Sequence, residues 1–245
     1  MIFIKENAYK NYSLYRMQES DFLYVRNFLD EQRNRLDKIE FFYPYKDEEL
    51  KSVLSGGVFW GLFDGQKLIA TFAIDLDDEY ATQLADIINS CRKKTVIDKA
   101  YESSGLMVDM DYRGQGIAGF LMDTAVEEAK LREINICGVV HTLNVASMST
   151  FFSRDFTLRG VWHMCQGYDF VYLLRRYDEE NNNKELRDKL LLQNLGNNDI
   201  IKKVEYPAMS ESVIHKELLA QGYYGIFCKN GSIFFICNKK GEKYE

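Results

Sequence analysis

A surplus of positive charge is the first thing this sequence lacks. Its 245 residues carry 31 Lys and Arg against 37 Asp and Glu, a net charge of −6. Non-specific nucleic-acid binding and anionic membrane surfaces both need excess Lys and Arg, so neither is an expected partner. The acidic balance tolerates a cationic substrate, although it serves solubility equally well. Long apolar runs are also missing, and none approaches the length that spans a bilayer. The opening MIFIKENAYKNYSLYR has neither a long apolar core nor a small-residue cleavage site, so no signal peptide is expected. The three histidines, at 141, 163 and 215, have no metal-ligand spacing, and no metal is expected. Cysteines at 91, 137, 165, 228 and 237 form no Cys-x-x-Cys pair, which fits reduced thiols in a cytoplasmic protein. Cys228 and Cys237 flank an Asn230-Gly231 hairpin turn. With 229 facing 232, Cys228 faces Ile233 and the two thiols cannot bond. Cys165 has no visible base partner and is a poor nucleophile.

What is present suits one large domain, or a domain plus an appendage: 46% of residues are hydrophobic. Tyr12–Met17 reads as a strand, followed by a helix capped by Ser20 or Asp21 and running to Lys38. A second helix covers Asp47–Leu54 and stops at Gly56-Gly57. Val58–Phe63, Asp64-Gly65 and Lys67–Ile74 read as a β-hairpin. The acidic run Asp75, Asp77, Asp78, Glu79 leads into a helix from Tyr80 to Arg92. A strand at Ala100–Val108, a glycine loop, and a helix with Ala118, Leu121, Met122, Ala125 and Ala129 on one face follow. Lys130 and Arg132 end that helix, where cations favour its dipole. Ile134–Leu143 reads as a buried strand, Asn144–Ser153 as a short helix, and 156–164 with 168–176 as an antiparallel pair. The order β-α-α-β-β-α-β-α-β-α-β-β implies an α/β (α+β) fold, a mixed and partly antiparallel sheet flanked by helices. Residues 1–176 form the expected main domain, and the polar stretch 177–183 a linker. A small C-terminal α+β appendage follows at 184–245, with helices at 184–194 and 210–221 and a hairpin at 223–237. An exposed edge on that hairpin makes a homodimer possible.

Three glycines and an arginine crowd into Asp111-Tyr-Arg-Gly-Gln-Gly-Ile-Ala-Gly119. A Walker loop would need Lys-Ser/Thr after the glycines, and there is none. Gly114-Gln-Gly116-Ile-Ala-Gly119 matches the Rossmann Gly-x-Gly-x-x-Gly literally. In a Rossmann dinucleotide enzyme, however, the first glycine follows the strand at once and a carboxylate ends the next strand. Here Asp109–Arg113 intervene, and the next strand ends Val-Val-His-Thr-Leu. A plain glycine-rich turn allowing close strand–helix packing is the simplest alternative. The segment Val108–Ala118 resembles the coenzyme A loop of the GNAT superfamily of N-acyltransferases, whose pattern Arg/Gln-x-x-Gly-x-Gly/Ala is filled by Arg113, Gly116 and Ala118. Glycines there expose backbone N–H groups that converge on the diphosphate at a helix N-terminus. A side chain at Gly114 or Gly116 would take the phosphate's place. Asn144-Val-Ala-Ser147 through Phe156 resembles the family's next segment, in which the Asn bonds the cofactor; its local alternative is a helix N-cap. The resemblance spans residues 12–176.

The resemblance implies acetyl-CoA as cofactor, held by Leu106, Met107, Val108, Arg113, Gly114, Gln115, Gly116, Ile117, Ala118, Gly119, Asn144 and Ser147. It implies direct transfer of an acetyl group to a primary amine of a small molecule or peptide, with N–H groups near Met107 and Val108 bonding the thioester carbonyl. Glu102 is the expected base, at the place where some members carry a glutamate that deprotonates the amine through water. Alternation would put Glu102, Ser104, Leu106 and Val108 on one face. A solvated edge glutamate is the alternative. Tyr101 and Tyr112 are weaker candidates for an acid, and His141 reads as a half-buried polar group. The family pattern breaks at Phe151, where many members have a tyrosine acid, and at Asp155, usually Gly. Phe151 keeps a second reading open, a coenzyme A-binding module without acyl transfer.

Overall fold

The computed structural model describes residues 1–91, 96–163, 169–178, 201–205, 217–221, 223–229 and 232–237. In chain order the elements begin with β1 (Ile2–Tyr9), β2 (Tyr12–Met17), α1 (Phe22–Asn34), α2 (Asp47–Gly56), β3 (Val58–Asp64) and β4 (Lys67–Ile74). Then come α3 (Asp78–Ser90), β5 (Tyr101–Val108), α4 (Ile117–Arg132), β6 (Ile136–His141) and α5 (Val145–Phe152). The rest are strands: β7 (Thr157–His163), β8 (Asp169–Arg175), β9 (Ile201–Glu205), β10 (Tyr223–Lys229) and β11 (Ser232–Cys237). Two compact units result: Met1–Asp78 with Tyr101–Arg132, and Glu79–Ala100 with Glu133–Glu245. The predicted order of elements is found, with β1 added at the front and β9 before the hairpin.

The first unit is an antiparallel sheet, β1-β2-β3-β4-β5. Val25, Phe28 and Leu29 of α1 and Leu50, Val53 and Leu54 of α2 bury themselves in one cluster with Phe59, Phe63, Ala73 and Met107 of the sheet. Their i, i+3, i+4 spacing is the reason these segments are helical. α4 packs against β4 and β5, burying Ile117, Leu121, Met122, Ala125 and Ala129. β3 and β4 are therefore buried almost end to end, and they read as continuous apolar runs rather than alternating ones. At the end of α2 the chain needs Gly57, because an added Cβ would lie 2.6 Å from the Ile74 carbonyl and 2.8 Å from that of Val53. α1 stops at Asn34, short of the expected Lys38. Its last turn tightens into i→i+3 bonds, Arg35 N–H to the Gln32 carbonyl (3.2 Å) and Leu36 N–H to that of Arg33 (3.1 Å). Asp21 does not cap α1 with its side chain; it accepts the Gln18 N–H (2.9 Å) and closes a short 3-10 turn ahead of the helix.

The alternation expected in β5 is broken. Met107 faces Thr71 and Ser104 faces Ala73, so two residues of β5 stand between them against one of β4. This bulge centres on Gly105, whose φ of 64° is left-handed, and its carbonyl accepts the buried Thr71 hydroxyl at 2.8 Å. Beyond the bulge the faces exchange. Glu102, Ser104 and Met107 share a face, and Val108 lies on the other.

In the second unit the pairs β6-β8, β8-β7, β7-β10, β10-β11 and β11-β9 are all antiparallel. Leu84, Ala85 and Ile88 of α3 pack with Ile97, Ala100, Cys137, Tyr172 and Leu174. The hairpin register has Lys229 facing Ser232, Cys228 facing Ile233 and Cys237 facing Tyr223, as the turn predicts. Its edges are not free: β10 lies on β7 and β11 on β9, which removes the premise for a dimer through that edge. The helix expected at 184–194, the turn at Asn230-Gly231, Cys165 and most of the linker lie outside the described residues. Of the helix expected at 210–221, only 217–221 is described, helical at 217–220.

Candidate active site

β5 leads into the glycine loop through Asp109. This residue is buried, donates its N–H to the Ile69 carbonyl (2.8 Å), and accepts the Asp111 N–H (3.0 Å) to close a 3-10 turn at Met110–Tyr112. Lys67 and Arg35 meet its carboxylate at 2.9 and 3.2 Å. Burial pushes the Asp109 carboxyl up, but the bond to Lys67, the Asp111 N–H and the charges of Lys67 and Arg35 outweigh it and hold it below the usual range. From α1, Gln32 accepts the Met110 N–H at 3.1 Å with a side chain that is itself buried, and Arg35 reaches on to Asp111 at 2.8 Å. Tyr112 donates to Asp64 (2.9 Å) across the loop. The loop thus starts from a point fixed by α1, β3 and β4.

Past that anchor, Gly114 and Gly116 take φ of 73° and 85°, values that only glycine adopts freely. Both are exposed, as is Arg113, whose Nε turns back to the Val108 carbonyl at 3.3 Å. α4 starts at Ile117, its first backbone bond running from the Phe120 N–H to the Gly116 carbonyl. Two left-handed glycines ahead of a 16-residue helix present main-chain N–H groups and a positive dipole end to one place, which suits a diphosphate. Ile117 and Gly119 are buried against the sheet, while Gln115 and Ala118 are part-exposed. A Cβ at Gly114 would meet nothing within 4 Å, leaving room at the loop for an anion. At Gly116 a Cβ would first meet the Tyr9 hydroxyl, at 2.6 Å.

Upstream on β5, Glu102 accepts the Asp75 N–H through its carbonyl (2.9 Å). Next to it, the Tyr45 and Ser104 hydroxyls share a hydrogen bond of 2.5 Å. Burial pushes the Tyr45 hydroxyl strongly up; Ser104 opposes this, and the charges of Glu102, Asp75 and Glu49 add to it. Tyr45 therefore stays protonated within the field of three carboxylates. Asp75 is itself raised, by burial first and by the charges of Asp77 and Glu49. Part of the acidic run is thus gathered beside Glu102. Tyr101 and Tyr112, the weaker acid candidates, direct their hydroxyls to Asp78 and Asp64.

In the second unit Asn144 caps α5, its Oδ1 accepting the Ser147 N–H at 3.1 Å, which is the local reading of that residue. His141 is buried, accepts the Leu143 N–H on Nδ1 (3.0 Å) and meets Phe170 edge-on. Phe151 packs against Gly138 and edge-on to Phe156, with its ring buried. Asp155 has φ of 62°, a left-handed conformation that glycine adopts more freely than other residues. Among the described residues no group of His, Cys, Asp or Glu is placed to hold a metal ion.

Sequence reading missed Tyr45, Gln32, Arg35, Lys67 and Tyr9. Each reaches the site from tens of residues away, and a local pattern carries no trace of that.

The sequence pattern of the Acetyltransferase (GNAT) family matches residues 12–155. The chain belongs to this family. Solved structures agree at the level of fold. The ribosomal-protein-S5-alanine acetyltransferase of Vibrio fischeri is 15% identical with a TM-score of 0.52, over 73% of this chain and 98% of that one. An N-acetyltransferase of Staphylococcus aureus Mu50 is 12% identical with a TM-score of 0.50, over 69% and 99%. The ribosomal-protein-S18-alanine N-acetyltransferase of Escherichia coli is 14% identical with a TM-score of 0.50, over 70% and 97%. No curated protein matches the chain. The GNAT assignment makes this protein an acyltransferase and sets aside the Rossmann reading. No helix among the described residues is long and apolar enough to cross a membrane.

Proposed function

We propose that this GNAT protein transfers the acetyl group of acetyl-CoA to a primary amine of a small molecule or peptide by direct attack. The observation that carries this reading is the loop itself, two exposed left-handed glycines at the N-terminus of α4, rigidly anchored at the end of a bulged strand. Arg113, Gly114, Gln115, Gly116, Ile117, Ala118 and Gly119 would hold the diphosphate, and Leu106, Met107 and Val108 the pantetheine arm. The family resemblance adds Asn144 and Ser147 as further residues that would bond the cofactor. When bound, acetyl-CoA supplies an activated thioester.

The chain's own groups do the rest. Glu102 takes the proton of the incoming ammonium, directly or through water, so that the neutral amine can attack. Asp75 and Glu49 strengthen the negative field that draws a cation to that place. Tyr45 keeps its proton, and its bond to Ser104 fixes the side chains of the bulged strand next to the base. Residues 1–176 carry the reaction in this reading, and the cytoplasm supplies the donor.

Thermal melting with acetyl-CoA and with NAD tests the loop: acetyl-CoA raises the melting temperature and NAD does not. Stabilisation by NAD alone would end this reading. Thiol release from acetyl-CoA over a panel of amines, including peptides that begin with alanine, then separates transferase from binding module. Phe151 is the feature that favours the module, and binding without thiol release on any amine would establish it.

A further inference from the structure

The glycine loop is also gripped by residues that precede the family segment. The family match begins at residue 12, whereas β1 ends at Tyr9. Lys10, with φ of 55°, turns the chain between β1 and β2 and puts this turn beside the loop. The Tyr9 hydroxyl donates to the Gln115 carbonyl at 2.8 Å, and the Tyr9 ring stacks on Phe120 in the first turn of α4 with centroids 4.9 Å apart. The Lys10 ammonium and the Tyr12 hydroxyl reach the Gln115 side-chain oxygen at 3.3 and 3.2 Å. One residue of the loop is thus held at both its main chain and its side chain.

The peptide plane gives this contact a consequence. In a trans peptide the C=O and the following N–H point in opposite directions. With the Gln115 carbonyl fixed on Tyr9, the Gly116 N–H is turned away from the β1–β2 turn. Gly116, at φ 85°, has no side chain to restrain its peptide, so the loop depends on an outside group to choose one orientation. The same turn carries an exposed ammonium to the loop's rim, in a chain whose net charge of −6 would otherwise repel a polyanion.

We propose that Tyr9 is a positioning residue that aims the Gly116 amide at the diphosphate of coenzyme A, and that Lys10 adds a cation for the phosphate-bearing half of that molecule. This rests on the coenzyme A reading of the loop. The test uses the full chain, with coenzyme A binding by calorimetry and turnover of acetyl-CoA with an active amine. Tyr9→Phe keeps the stacked ring and loses one hydrogen bond. It raises the Kd for coenzyme A and the KM for acetyl-CoA about fivefold, while kcat at saturating donor is unchanged. Lys10→Ala weakens binding about fivefold at low salt, and the difference disappears at about 0.5 M salt, where surface charges are screened. Gly116→Ala is less harmful in the Tyr9→Phe background, since the hydroxyl 2.6 Å from the new Cβ is gone and the next ring atom lies at 3.7 Å. Wild-type protein that binds no coenzyme A overturns the reading of the loop, and this inference with it. Wild-type binding with an unchanged Tyr9→Phe affinity overturns only the role of Tyr9. A kcat that falls as much as KM rises shows general loosening and also overturns it.

Discussion

Gly105→Ala is the substitution that probes how the bulge in β5 is held. An alanine there must take φ near 64°, which costs about 1–2 kcal/mol for an L-residue. Its Cβ would stand 2.9 Å from the Tyr45 hydroxyl and 3.1 Å from Cε2 of the ring. The ring has to move, and the hydrogen bond between Tyr45 and Ser104 goes with it, adding roughly 1 kcal/mol. The expected loss is about 2–3 kcal/mol in urea unfolding at neutral pH. Tyr45→Phe alone costs about 1 kcal/mol by losing the same bond. Because both changes remove one bond, the double variant should fall short of their sum by about 1 kcal/mol. Strict additivity, or a Gly105→Ala protein as stable as the parent, would refute the account of the bulge. Turnover of each stable variant, measured in parallel, should fall in step with the lost Tyr45–Ser104 contact, since that contact adjoins Glu102.

Asp109→Asn should destabilise by about 2 kcal/mol at pH 7, less than a fully buried pair would, since Lys67 and Arg35 both reach water. The Asp109 carboxyl is depressed in the folded state, so its contribution is present above the unfolded value of 3.8 and is lost as pH falls through the folded one. Urea titrations from about pH 5 downward should therefore show the two proteins converging, and a constant gap would contradict the ion-pair assignment. Gly116→Glu combines a strained left-handed residue with a misplaced negative charge, and should weaken coenzyme A binding about 100-fold by calorimetry. Glu102→Gln should lower kcat about 100-fold and leave the coenzyme A Kd unchanged; full activity across pH would remove Glu102 from the mechanism. Phe151→Tyr buries a hydroxyl in an apolar cluster, so it should cost about 1–3 kcal/mol by urea unfolding and give no gain in turnover. A faster and equally stable variant would mean that the family's tyrosine site survives here.

Elements with strong local signals were legible in the sequence. The β3–β4 hairpin, α2 with its Gly56-Gly57 stop and the β5–loop–α4 passage could be read from periodicity and turn chemistry, and the register at Lys229–Ser232 followed from its turn. β1 escaped notice because it is an edge strand whose residues are mostly exposed, with no apolar alternation to read. β9 escaped because it exists only as the neighbour of β11. The bulge at Gly105 was hidden for a different reason. A single glycine in an apolar strand looks like any other small residue, and only its left-handed φ shifts Leu106 and Val108 off the face of Glu102. At the glycine loop the motif residues are contiguous and could be read from sequence, whereas their supports could not. Tyr9, Gln32, Arg35 and Lys67 act on residues 109–115 from other elements, and such contacts are decided by tertiary packing.

The two departures from the family pattern differ in kind. At Asp155 the side chain differs from the family's glycine and the backbone is left-handed, with φ of 62°; Arg175 lies 3.7 Å from the carboxylate. Aspartate is one of the few non-glycine residues that tolerate this region, so the turn before Phe156 survives its substitution. At Phe151 the shape is kept and the chemistry is lost, because a buried phenyl ring edge-on to Phe156 has no proton to give. Asp155 thus holds a backbone that glycine adopts freely, whereas Phe151 offers no acid. Under the proposed function a coenzyme A thiol would be acidic enough to depart without a dedicated donor, with water or a neighbouring hydroxyl such as that of Ser149 to protonate it. The chemical demand would then shift to the other proton, the one on the incoming ammonium. In the proposed reading that task would fall to Glu102, within the field that Asp75 and Glu49 share with it at Tyr45.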